Sequence, residues 1–156
     1  MKVSLELISI EQKKFLGEML KAYERELTGE EDPGEYKYLD SYWRKEDRKP
    51  YFITINDDVA GFALLNKHTV VQNNGYNIAE FYVKKEYRNK GVAKKAAYQL
   101  FSLFPGKWEV RQLSNNSKAR TFWNKVIKEY TSDHYKEKLL NNDKWRGYIQ
   151  TFEKND

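Results

Sequence analysis

The chain contains no cysteine in its 156 residues. That absence excludes a disulfide framework, a thiolate metal site and a cysteine nucleophile together. Histidine is nearly as scarce. His68 and His134 are the only two, too few for a His-rich centre, and no metal is expected. No apolar run approaches the ~18 residues that a membrane-spanning helix needs. The opening MKVSLELISIEQKK lacks a long apolar core and a small-residue cleavage site, so no secretory leader is expected. A soluble cytoplasmic protein with no membrane partner follows as the expectation. Glycine is also too sparse for a G-x-G-x-x-G dinucleotide turn, and no Gly-Lys-Ser/Thr of a phosphate-binding loop is present.

Aromatics are abundant. They reach 15%, against 33% charged residues, which separates this chain from disordered ones. The length fits one domain over 1–156, and a domain of about 150 residues hides roughly two-thirds of its unfolded surface. The net charge of +5 permits a polyanionic partner without naming one. The charge is uneven, however. Residues 24–40 hold seven carboxylates (Glu24, Glu26, Glu30, Glu31, Asp32, Glu35, Asp40) against Arg25 and Lys37, a local net of −5.

Val3, Leu5 and Leu7 alternate with polar residues, the period of a half-buried strand. Ser9 and Gln12 stand in capping-box spacing before an apolar helical face of Phe15, Leu16, Met19, Leu20, Tyr23 and Leu27, which Gly29 ends. A short helix is expected near 39–46. Residues 51–55 and 59–65 read as strands joined through Asn56-Asp57-Asp58, and 76–83 as a third β-prone run. Val92, Ala93, Ala96, Ala97, Leu100 and Phe101 share a helical face that Pro105-Gly106 stops. A strand over 107–113, a helix around 119–130 and a last strand over 145–152 complete the order. Strands come in a run before the first β-α-β crossover, so the fold class is α/β in the α+β sense: a mixed, mostly antiparallel sheet.

The stretch "EYRNKGVAKKAAYQLF" (86–101) joins a basic turn to a helix start at Gly91. Amides in a first helical turn have no intrahelical partners, and the helix dipole favours an anion there. Such an end can seat a phosphate. Gly91 is expected to let the backbone approach the ligand, with Ala93 keeping the next step small. The pattern Arg88-x-x-Gly91-x-Ala93 resembles the pyrophosphate motif of the GNAT superfamily of acyl-CoA-dependent N-acyltransferases. The preceding "AEFYVKKEYR" is similar to that family's fourth strand and linker. "NSKARTFWNKVIKEY" is similar to its later Asn-x-x-Ala segment, matching at Asn116, Ala119 and Phe122.

The resemblance implies a sheet splayed between its fourth and fifth strands, about four flanking helices, and acetyl-CoA as donor. The main chain of Phe81, Tyr82 and Val83 would meet the pantetheine arm. Arg88, Asn89, Lys90, Gly91, Val92, Ala93 and Lys94 would surround the diphosphate, and Asn116 and Trp123 would face the cofactor. Lys84, Lys85, Arg88, Lys90, Lys94 and Lys95 put six cations in twelve residues, most of them ordinary solvated positions.

Acyl transfer to an amine needs a base, because an amine of pKa ~10.4 is protonated at neutral pH. Glu80 is the only carboxylate in its strand and is the candidate; an outward charge or an ion pair with Arg111 is the structural alternative. The oxyanion donor is expected in a backbone N–H near Tyr82 or Val83. Many family members carry a tyrosine where this chain has Trp123, which leaves Tyr130 or water as general acid. Tyr36, Tyr38, Tyr42 and Trp43 are expected in the acceptor wall, whose acidity suits a cationic small-molecule or peptidyl amine. A CoA-binding sensor without catalysis and a basic nucleic-acid module are the rival readings. No nucleic-acid motif is present, so no such partner is expected; monomer and homodimer both stay open.

Overall fold

Local signals set the ends of the elements. In the computed structural model, which describes residues 1–155, the Ser9 N–H donates to Gln12 Oε1 at 3.0 Å. The capping box closes a single 3-10 turn, Ile10–Gln12, which runs into helix α1, Lys13–Thr28. Gly29 ends α1 in the left-handed region at φ 78, its N–H on Arg25 O. Strand β1 is Val3–Leu7, and β2 (Lys49–Ile55) and β3 (Asp58–Asn66) form a hairpin. Its turn residues Asn56 and Asp57 have φ 48 and 76, the double left-handed conformation that two-residue hairpins favour. β4 is Tyr76–Val83, α2 Val92–Leu103, β5 Gly106–Leu113 and α3 Ser117–Thr131. β6, Lys136–Asn141, and β7, Arg146–Lys154, close the sequence of elements.

The strands form one sheet in the order β1-β2-β3-β4-β5-β7-β6, with β4 and β5 its parallel pair. α1 covers one face, burying Leu16, Met19 and Leu20 against Phe52, Phe62 and Leu64. α2 and α3 cover the other, where Leu100, Phe101, Trp123 and Ile127 meet Ala63, Leu65, Trp108 and Val110. β3 is buried on both faces, which explains its unbroken apolar run AGFALL.

Two expectations need correction. The described residues hold three α-helices and short 3-10 turns rather than about four helices, and the helix expected near 39–46 is the 3-10 turn Leu39–Trp43. β6 was not expected at all. KEKLLN has no period-2 apolar stripe because it is an edge strand, four of its six residues exposed. A polar network holds it. Glu137 accepts from Arg120 at 2.7 and 3.2 Å, from Asn124 at 2.7 Å and from Gln150 at 2.8 Å. The Arg120 hydrogen bonds, chiefly, hold the Glu137 carboxyl at about 2.

The feature that positions the site is a β-bulge. Leu64 lies opposite Glu80 but Leu65 opposite Ile78, so Ala79 is an extra residue in β4. Ile78 packs with the α2–α3 side, and simple alternation would place Glu80 there too. The bulge shifts the phase. Glu80 and Tyr82 now face α1, while Phe81 faces α3. β5 leaves β4 at the same level, its last pair being Ile78 with Val110.

Close approach of β3 to β4 depends on Gly61. A Cβ there would lie 1.9 Å from the Tyr82 carbonyl oxygen. Gly61→Ala should therefore force the two strands apart and cost at least the about 1–3 kcal/mol of an overpacked core. Chemical denaturation measures it; an unchanged midpoint would contradict this packing.

Candidate functional site

Divergence of β4 from β5 opens a cleft of about 500 Å3, bounded by α1, the β4–α2 turn and the start of α3. The direction of its main-chain groups follows from parity. Lys84 N–H donates to Ala60 O on β3 at 2.7 Å, and alternate residues of a strand point the same way. Tyr82 N–H therefore faces β3, whereas the peptide groups of Phe81 and Val83 face the gap that β5 has left. This corrects the expectation that the Tyr82 N–H could be an oxyanion donor.

The β4–α2 turn curls tightly. Asn89 has φ 63 and Gly91 φ 79, alternating left-handed residues that turn successive amides toward one side. A Cβ on Gly91 would meet nothing within 4 Å, so its conformation, not crowding within the chain, demands glycine. Val92, Ala93 and Lys94 follow as the first turn of α2 and line the cleft, their N–H groups without intrahelical partners.

Arg88 holds this turn in place. Its Nε–H donates to Val83 O at 2.8 Å, and its terminal nitrogens meet Glu26 of α1 at 2.6 and 2.9 Å. The bidentate pair is half-exposed, so its worth lies in geometry more than in energy. Trp123 packs edge-on against Phe81, ring centroids 5.0 Å apart, giving the cleft an apolar floor. Asn116 caps α3, its side-chain oxygen accepting the Ala119 N–H at 3.2 Å.

Glu80 lies on the α1 side of the bulge. Tyr23 Oη donates to one carboxylate oxygen at 2.9 Å and Tyr36 Oη to the other at 3.1 Å. Burial pushes the Glu80 carboxyl up, against the two tyrosine hydrogen bonds that pull it down; the Glu24 charge adds to the rise. Burial and the same carboxylate push both phenols well above their ordinary range, so they stay neutral donors. Tyr23 also lines the cleft, standing between it and Glu80.

A family model described as the acetyltransferase (GNAT) family matches residues 16–127, which take in the bulge, the turn, α2 and most of α1 and α3. The chain belongs to this family. Comparison with curated proteins finds no match. Among solved structures, it is similar to an acetyltransferase from Thermus thermophilus at 9% identity, with TM-score 0.71 over 98% of this chain and 97% of that one. It is also similar to the PaiA N-acetyltransferase from Thermoplasma acidophilum in complex with coenzyme A, at 15% identity, TM-score 0.64, covering 98% and 99%. The aminoglycoside acetyltransferase AAC(6′)-Ib in complex with coenzyme A aligns at 17% identity, TM-score 0.68, covering 97% and 95%.

In this GNAT chain the cleft gathers most of the residues proposed for the cofactor: Phe81, Tyr82, Val83, Arg88, Asn89, Gly91, Val92, Ala93, Lys94, Asn116 and Trp123. Lys90 is exposed and does not line it. Tyr130 is not brought there either. Its hydroxyl lies 2.9 Å from Ser102 Oγ and its ring packs on Phe101 and Tyr98, one helical turn or more beyond the cleft-lining part of α3. Of the four aromatics proposed for the acceptor wall, only Tyr36 reaches Glu80. Tyr38 is exposed, Tyr42 is buried, and the Trp43 indole N–H donates to Ile8 O as a strut. Arg111 does not pair with Glu80; its guanidinium lies 5.1 Å from the Trp145 ring. Sequence reasoning missed the roles of Tyr23 and Glu26, which sat within a helical stripe and an acidic run.

The raised Glu80 carboxyl has a consequence for stability. Folding favours its neutral form, so the wild-type fold loses stability as pH rises through the raised value. Gln keeps an acceptor for one tyrosine and a donor for the other, and does not titrate. The melting temperature of Glu80→Gln minus that of wild type should therefore grow between pH 4 and pH 8; a difference that shrinks with pH would refute the burial argument.

Proposed function

We propose that the chain transfers an acetyl group from acetyl-CoA to a primary amine by direct attack in a ternary complex, with Glu80 as base. The observation that carries this reading is the coincidence, in one cleft, of an unpaired β4 edge and the free amides of a helix start. Family membership supports it, as do two similar structures that hold coenzyme A. The residues fit such a ligand. Peptide groups of Phe81 and Val83 can pair with the amides of a pantetheine arm as a missing strand would. Amides from Asn89 to Lys94 suit a diphosphate, and Phe81 and Trp123 suit an apolar segment.

The bound thioester supplies an activated acyl group. Glu80, on the α1 face of the bulge, receives the proton that the attacking ammonium must lose. Tyr23 stands between, and can pass its own proton to Glu80 while taking one from the amine side. As the nitrogen bonds to the acyl carbon, the C–S bond breaks and its electron pair leaves on sulfur. The Val83 or Phe81 N–H, facing the gap, suits the carbonyl oxygen as its charge grows. No phenol is needed for the leaving group, since a thiolate of pKa ~8.5 departs without an acid; the acylated nitrogen sheds its remaining extra proton to water, and the thiolate takes its proton from water. The exposed carboxylates Glu30, Glu31, Asp32 and Glu35 follow α1 and favour a cationic acceptor.

Acetyl-CoA should raise the melting temperature, and thiol release over an amine panel should then identify the acceptor; no stabilisation at any concentration would overturn the proposal. Gly91→Ala strains the turn by about 1–2 kcal/mol and should weaken CoA binding roughly tenfold. The acid limb of the kcat/KM profile should lie above the ordinary carboxylate range, with activity lost as pH falls through it. Glu80→Gln should remove that limb and cost about 10²–10⁴-fold in rate. Neutralising the four carboxylates should raise KM for a cationic amine and leave a neutral one unchanged.

A further inference from the structure

Beyond the parallel pair of Ile78 with Val110, the next residue of β5 is Arg111. β5 pairs with β7 without a register shift, so its side chains alternate strictly. Trp108 and Val110 pack with α2 and α3. Arg111 therefore stands on the opposite face of the sheet, the face to which the bulge turns Glu80. A carboxylate on the β4 lip and a cation on the β5 lip flank the gap where the two strands part.

Arg111 is half-buried. Among the described residues it has no ion pair and no side-chain hydrogen bond. Glu109, on the same face of β5, is fully buried and engaged elsewhere. Its oxygens accept the N–H groups of Val70, Val71 and Gln72 at 2.7, 3.0 and 2.6 Å. What holds Arg111 is an aromatic ring. The guanidinium lies 5.1 Å from the centroid of Trp145, whose indole N–H donates to Gln112 O at 3.2 Å and so fixes the ring beside the end of β5. Contact with a ring orients a guanidinium and leaves its N–H donors free. Those donors are not sealed in the core, because the buried unpartnered side-chain atoms among the described residues belong to Tyr42, Arg48 and Asn77. Burial pushes the guanidinium below its ordinary value, against the pull of Glu109, and an arriving anion would offset that loss of water.

We propose that Arg111 selects acceptors that carry a carboxylate as well as the amine: an amino acid or a close relative, its ammonium toward Glu80 and its carboxylate on Arg111. The inference rests on the acyl-transfer reading above and names the substrate class for that site. A guanidinium meets a carboxylate in fork geometry through charge-assisted hydrogen bonds. The carboxylates that follow α1 favour the ammonium end of such a zwitterion, whereas they would repel an anion that carried no ammonium.

Thiol release and thermal shift with the full chain test this, using L-alanine, L-lysine and the corresponding amides, which keep the amine and lose the carboxylate. The ratio of kcat/KM for each acid over its amide should fall about tenfold or more in Arg111→Met, because the amide has no charge-assisted bond to lose. A merely structural role would lower both members of a pair and leave the ratio alone. Lys138→Ala removes a cation from the same face two strands away and should keep the wild-type ratio. With CoA bound, an acid at about ten times its Kd should raise the melting temperature of wild type by roughly 3 °C, and that of Arg111→Met much less. An unchanged ratio in Arg111→Met, an equal fall in Lys138→Ala, or turnover confined to amines without a carboxylate overturns the assignment and leaves acyl transfer standing. No thiol release from any amine overturns acyl transfer instead; the thermal shift then decides Arg111, and no shift with either acid refutes it. Should Arg111→Met fail to fold, Arg111→Lys, which keeps the charge but not the fork, should still lower the ratio, and an unchanged ratio there refutes the proposal.

Discussion

One extra residue in β4 governs this molecule. Ala79 is unmatched on β3, and that single insertion reverses which side of the sheet every later side chain of β4 faces. Glu80 goes to the α1 face, Phe81 to the α3 face, and the strand loses β5 as its neighbour at the same point. A central strand normally has both edges paired. Here the edge beyond Ile78 is left with peptide groups that no strand satisfies, inside the cleft. The rest of the cleft supplies apolar packing below and helix-start amides at its end.

The elements around the cleft are tied to one another by polar contacts rather than by more core. Arg88 clasps the Val83 carbonyl and Glu26 together, so the turn that leads into α2 is referenced to both β4 and α1. Tyr23, on the same helix as Glu26 and one turn before it, ties α1 to Glu80. The two faces of the cleft therefore share α1 as a common wall. On the far side of the sheet, Glu137 performs a comparable task, joining α3 to the β6–β7 hairpin through Arg120, Asn124 and Gln150.

Much of this was legible in the residues, for identifiable reasons. Helix ends carry their own chemistry: Ser9 with Gln12, and Gly29 and Gly91 at left-handed positions, are readable because cap geometry is local. β3 and the stripe Phe122, Trp123, Val126 and Ile127 are readable because burial writes a period into the sequence. β6 was illegible for the converse reason. An edge strand buries little, and a charged network leaves no apolar rhythm behind. Tyr130 was misplaced as a candidate acid because a helical stripe tells which residues share a face, not how far along the helix the cleft extends.

Most of the elements and the left-handed turn at Gly91 rest on interactions within a few residues of one another, and so are written in the chain itself. Glu80 is different. Its strand announces a carboxylate among apolar neighbours, but its direction depends on a bulge set by register with β3, and its ionisation on tyrosines 57 and 44 positions away. Arg48 likewise reads as one more cation in a basic chain, and only packing shows it buried close to the rings of Tyr38 and Tyr42. Hydrogen-bonding partners and desolvation are products of long-range contact, which no local pattern encodes.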